Sequence, residues 1–138
     1  MKNKTFLFFA AVMFLFTVDS CQHHYPVSLV EADSLAYSNP KAALQKLDSL
    51  SLCLDTTQKA DVMYLRLLKM TAKDKLYMSF GTLDSVQSLA KYYEEEGDKH
   101  LLPRAYYMLG RRLCDMHDVP QAFTYYRKAL DLLDENYD

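Results

Sequence analysis

From residue 29 onward, apolar side chains recur three and four positions apart, and each such run is cut by a short polar, glycine or proline segment. Leu29, Ala32, Leu35 and Ala36 form the first stripe. "SNP" at residues 38–40 ends it, because proline disfavours helical geometry at the residue before it and suits the first turn of a following helix. Ala43, Leu44, Leu47 and Leu50 continue the period through residues 41–50. A longer run rich in Met, Leu and Tyr occupies residues 58–78, and Gly81 breaks it before another at 83–95, which "EGD" closes at 96–98. Residues 101–116 and 119–134 carry the last two runs, separated by a tight turn at His117 and Asp118. The spacing predicts an all-α chain of about three antiparallel helix pairs.

Composition sharpens this picture. Three glycines and four prolines in 138 residues leave little turn material for a strand-rich fold. With 50% hydrophobic residues and a net charge of -2, the chain suits one small domain and carries no electrostatic footprint for nucleic acid. Lys2 and Lys4 precede the apolar stretch "FLFFAAVMFLFTV" at residues 6–18, too short to span a bilayer and of the size of a signal-peptide core. Residues 1–20 therefore read as an export signal, 21–28 as a polar spacer and 29–138 as the helical domain.

The stretch "VDSC", residues 18–21, resembles the lipobox of bacterial lipoproteins, with Asp19 as its departure from the usual pattern. The resemblance implies cleavage before Cys21, acylation of that residue and a domain tethered to a membrane face. An ordinary secretory signal with an incidental Cys21 is the alternative. Gln22 differs from the aspartate of inner-membrane retention signals, so the resemblance favours the outer membrane. His23 and His24 lie in the spacer without acidic or cysteine companions and read as solvated linker; no metal or cofactor is expected. Cys53 and Cys114 match no C-x-x-C pattern, and read either as buried small residues or as a disulfide formed in an oxidising periplasm.

Gly110 is the most informative residue, since a mid-helix glycine costs roughly 1 kcal/mol against alanine. Tyr106, Leu109, Gly110, Leu113, Ala122, Tyr126 and Ala129 stand at the spacings of the tetratricopeptide repeat, which residues 103–136 resemble. In that pattern the small residues mark the closest approach of two packed helices and the larger ones fill the layers around it. Asp134 stands where the family often has proline. Two weaker repeats precede this one. The first aligns Ala43, Leu47 and Leu50 with Ala122, Tyr126 and Ala129, and has Val30-Glu31 in place of Leu-Gly. The second aligns Ser88 with Ala122 and Tyr92 with Tyr126, puts Glu95 at the last alanine, and has a lengthened loop over residues 78–82. The resemblance covers residues 27–138 and extends to a group of envelope-anchored bacterial tetratricopeptide proteins, some of which continue into a transmembrane helix and a DNA-binding region.

The resemblance implies a non-enzymatic interaction module that holds a partner protein or peptide in a concave groove. It places Arg104, Tyr107 and Arg111, with Cys114 and Asp115, on that face, where the arginines would grip an acidic segment. A salt-bridged surface with Asp115 and Asp118 is the competing reading. Cys114, Asp115, His117 and Asp118 form the one cluster of nucleophilic and basic type, and no glycine loop suited to an oxyanion accompanies it, so no catalytic residue is assigned. Two roles follow: a periplasmic lipoprotein adaptor, or a truncated or partial sensor arm of a tetratricopeptide regulator. Under either, Ala129, Leu130, Leu132 and Leu133 are expected to expose an apolar strip open to another chain or to self-association.

Overall fold

The computed structural model describes residues 23–134, and the Cys21 lipidation site lies outside them. Six helices follow one another: α1 (Val27–Ser38), α2 (Pro40–Cys53), α3 (Lys59–Lys75), α4 (Leu83–Glu95), α5 (Leu102–Asp115) and α6 (Val119–Asp134), with a 3₁₀ turn at Lys99–Leu101. No strand occurs among the described residues. The helices pack as three antiparallel pairs, each pair against the next, in a solenoid-like array.

Local chemistry sets the boundaries. Asn39 accepts a hydrogen bond from the Ala42 backbone through its side chain while Pro40 occupies the first helical position, so "SNP" both ends α1 and starts α2. Thr82 caps α4 in the same way. Helix α3 stops three residues short of the expected Met78, because Tyr77 turns into the left-handed region (φ 55°) and the Met78 N–H returns to the Lys73 carbonyl. Helix α5 ends identically: His117 has φ 64° and the Asp118 N–H bonds the Leu113 carbonyl. These matched ends place Tyr77 and His117 at equivalent positions of successive repeats.

From that equivalence the register of the middle repeat differs from the sequence alignment. Ser88 and Glu95 are exposed. Val86, Ala90 and Tyr93 are buried instead, at the same spacing as Ala122, Tyr126 and Ala129. Nine positions separate Tyr77 from Val86 and five separate His117 from Ala122, so the loop is longer by four residues and displaces the alignment. The equivalent of Gly110 in α3 is Met70, also buried.

Packing follows from that exchange. A Cβ on Gly110 would stand 2.5 Å from Cε1 and 2.7 Å from Cδ1 of Tyr126, so the ring of Tyr126 on α6 lies flush against the α5 backbone. Helices α5 and α6 accordingly share the most intimate backbone packing of any pair, whereas α3 and α4, with Met70 and Val86 between them, meet chiefly through side chains. Arg66 helps bridge that wider gap by donating to the Ser85 hydroxyl and carbonyl at 3.2 and 3.4 Å. At the other end of the array Ala36, Ala43 and Ala72 bring α1, α2 and α3 together with no exposed area.

The N-terminal segment departs from the solvated spacer expected of it. Helix α1 begins at Val27, and before it His23 and Tyr25 lie on the body while His24 is exposed. His23 Nε2 is 2.6 Å from Asp61 Oδ1, and Tyr25 stacks between His23 and Tyr64 with ring centroids 4.9 and 4.3 Å apart. Asp61 is buried, and a buried carboxylate requires a partner. His23 supplies it, which polarity alone did not reveal. Cys53 is exposed and Cys114 half-buried, both as free thiols, so Cys53 is not a buried core residue and the two do not pair. The expected strip on α6 also divides: Ala129 is buried and Leu132 half-buried, while Leu130 and Leu133 are exposed.

Replacing Gly110 by Ala should lower stability by about 1–2 kcal/mol, the overpacking against Tyr126 exceeding the gain in helix propensity. In a Tyr126→Ala background the same change should raise stability, and urea unfolding of the four proteins of this cycle reads the reversal directly.

Candidate functional site

The inner face is built by α1, α3 and α5, and one carboxylate joins all three. Asp33 on α1 accepts from the Tyr64 hydroxyl of α3 through Oδ2 and from Arg104 Nη1 of α5 through Oδ1, both at 2.6 Å. Burial foremost, and then the bond to Asp33, push the Tyr64 phenol well above its usual range. For Arg104 burial opposes the charge, but the bond to Asp33 and the charges of Asp33, Tyr37 and Tyr64 together hold its pKa above the ordinary value. Two turns further along α5, Arg111 donates from Nε to Asp74 at 3.0 Å, and Asp115 lies 3.8 Å from its Nη2.

Beside this network runs an open groove of about 710 Å³. Arg104 and Tyr107 line it from α5, and Tyr126, Ala129, Leu130 and Leu133 form the α6 wall. Tyr37 and Lys75 stand opposite, with Lys75 Nζ 5.3 Å and Arg104 Cζ 5.5 Å from the centre of the Tyr37 ring. No acidic side chain lines the groove among the described residues. Asp74, the carboxylate next to Lys75 in sequence, is taken by Arg111, and Lys75 has no ion-pair partner among the described residues. The groove thus combines an apolar wall with a cation seated on an aromatic ring.

The structure therefore brings Arg104 and Tyr107 to one groove and sends Arg111 to a separate depression of about 380 Å³, where Asp74, Arg112 and Asp115 also sit. Both arginines are anchored in the body by aspartates from neighbouring helices, Asp33 and Asp74, rather than by Asp118 of the adjoining turn. Cys114 is half-buried under Tyr126, and His117 lies in the exposed turn. Sequence reasoning did not assign Tyr37 or Lys75 to the site, because they come from the ends of two helices outside the best repeat. The helical period of α1 and α3 carried no signal for their convergence.

Outside the groove, Met116, Val119 and Phe123 form an exposed outward strip at the start of α6 that continues, at three- and four-residue steps through half-buried Tyr126, into Leu130 and Leu133 of the groove wall. Such spacing suits contact with another helix. No group of three or more His, Cys, Asp or Glu suited to a metal occurs among the described residues. No described helix is long and apolar enough to cross a membrane. Comparison with protein-family models, curated proteins and solved structures found no match.

Burial, then the neighbouring Cys114 thiol, pushes the Tyr126 phenol up to about 12; burial and the nearby Glu94 carboxylate push Tyr106 to about 12 as well. Both are raised above the unfolded value near 10, so their contribution to stability is complete below about pH 10 and is lost as pH rises through 10 to 12. The late-titrating part of the tyrosinate absorbance should shrink by the amplitude of one phenol in Tyr126→Phe, and alkaline unfolding of that variant should begin at higher pH.

Proposed function

We propose that this chain is a non-enzymatic, tetratricopeptide-like interaction module, tethered to the bacterial envelope through Cys21, that holds a partner protein or peptide in its inner groove. The observation that carries the reading is the groove itself: an apolar wall on α6 faces Tyr107, with Lys75, unpaired among the described residues, beside it. Such a surface suits a segment carrying apolar anchors and a carboxylate, since desolvated apolar contact supplies affinity and a single charge pair supplies orientation. The matched turns at Tyr77 and His117 and the packing of Tyr126 on Gly110 support the repeat relationship. The tether rests on the resemblance of "VDSC" to a lipobox.

A second reading, the periplasmic arm of a tetratricopeptide regulator, is favoured by the outward strip of α6, which offers a seat to another helix. The two readings differ in which surface is occupied in the cell.

Arg104 and Arg111 are poor probes of the groove, because reversing either would strip a body aspartate of its partner. Lys75 and Leu133 are better ones. A photo-crosslinking residue at Leu133 should give a discrete adduct in intact cells, one at exposed Gln87 should not, and Lys75→Glu should abolish the Leu133 adduct without changing helicity. Adducts unaffected by Lys75→Glu would refute the groove, and a discrete adduct obtained from Phe123 instead would transfer the partner to the outward strip.

A further inference from the structure

The ordered body begins close to Cys21. His23 is fixed to Asp61, Tyr25 is wedged against Tyr64, and the Pro26 carbonyl accepts from the N–H groups of Leu29 and Val30. Gln22 alone separates Cys21 from His23, and two residue steps reach about 7 Å at full extension. That is shorter than the Debye length of about 8 Å at physiological salt, and far shorter than the roughly 25 Å of a 17-residue helix such as α3. An anchor at Cys21 would therefore hold this end of the array against its membrane.

Antiparallel packing brings the start of α1 and the end of α2 to that same end, and Tyr25 packs on the cluster that Leu50 and Leu54 also cover. The two chain stretches that meet there, "YPVSLV" at residues 25–30 and "SLSLCL" at 49–54, contain no charged residue in a protein that is 25% charged. Two of their side chains project into solvent: Val27 is 68% exposed and Leu52 is 90% exposed. Single exposed apolar residues are ordinary on a protein surface. Two of them on stretches without a charged residue, beside a strap that begins two residue steps from an acylation signal, form a surface suited to the boundary between headgroups and acyl chains, where tyrosine is also at home.

We infer that the end of the array formed by the start of α1 and the end of α2 is apposed to the lipid bilayer, with Val27 and Leu52 meeting its interfacial layer and the His23–Asp61 strap fixing the domain's orientation. The inference rests on the proposed acylation of Cys21 and adds to it the face that the membrane covers. A bilayer is the occupant, rather than a second copy of the chain, because the tether delivers this face to lipid while leaving the strip on α6 free.

The test uses the full chain, processed in a bacterial host, extracted in detergent and reconstituted into phosphatidylethanolamine–phosphatidylglycerol vesicles. Exposed Cys53, next to Leu52, carries an environment-sensitive fluorophore in a Cys114→Ala background; a control carries it at Tyr77→Cys, at the opposite end, with Cys53→Ser added. Nitroxide lipids should quench the Cys53 probe several-fold more than the Tyr77→Cys probe. Leu52→Asp with Val27→Asp should reduce that difference, and His23→Ala with Asp61→Asn should reduce it by releasing the strap. Equal quenching at both ends, or quenching at Cys53 that grows with the protein-to-lipid ratio as self-association requires, would overturn the inference. The intact mass separates the two possible failures: an acylated chain with equal quenching leaves the anchor standing and removes the face, whereas an unacylated chain removes both.

Discussion

The inner face is organised around one carboxylate. Asp33 receives a phenol from α3 and a guanidinium from α5, so a single side chain on α1 sets the relative positions of three helices whose backbones barely touch between α3 and α5. Hydrogen bonds to charged groups contribute roughly 1.5–3 kcal/mol each, and loss of one partner would leave the other charge about four-fifths buried and unpaired. The electrostatic character of the groove follows. Arg104 is neutralised from behind by Asp33, and Arg111 by Asp74 on the same helix as Lys75, so Lys75 is the groove lysine without an ion-pair partner among the described residues. The arginines shape the site, and the lysine charges it.

Much of this fold was legible in the chain. Helical periodicity, the "SNP" break and the cap at Asn39 depend on neighbours within four residues, so the order of six helices and the span of α6 could be read without tertiary information. Gly110 pointed correctly to a close approach, although the group that fills its space is the ring of Tyr126. Features that depend on distant partners were not legible. His23 looked like linker because Asp61 lies 38 residues away, and the middle repeat slipped by two positions because a longer loop precedes Val86. Tyr37 and Lys75 converge on Arg104 only through the stacking of three successive pairs. Of the proposed groove residues, Arg104 and Tyr107 are brought together and Arg111 is not.

The Tyr93 hydroxyl has no explanation of this kind. Tyr93 is wholly buried, its hydroxyl has no hydrogen-bond partner among the described residues, and burial drives its phenol far above the usual range. Next to it, Gly97 ends α4 in space that a Cβ could not share, 2.5 Å from the Tyr93 ring and 2.8 Å from that of Tyr92. The middle pair thus holds a large aromatic side chain with one unsatisfied polar atom, while the third pair closes on small residues. The two hairpins reach a filled core by opposite means.

That contrast gives the array uneven stiffness. Where Tyr126 lies flush on Gly110, α5 and α6 move as one blade. Where Met70 and Val86 hold α3 and α4 apart, sliding is opposed by flexible side chains and by the Arg66 bridge to Ser85 rather than by interlocked backbones. A load along the solenoid is taken up first in the middle, as in a jointed rod with one soft coupling. Lys75 at the end of α3 and Leu133 on the rigid blade stand on the two sides of that coupling, and the Asp74–Arg111 and Asp33–Arg104 pairs are the ties that hold the groove's width across it.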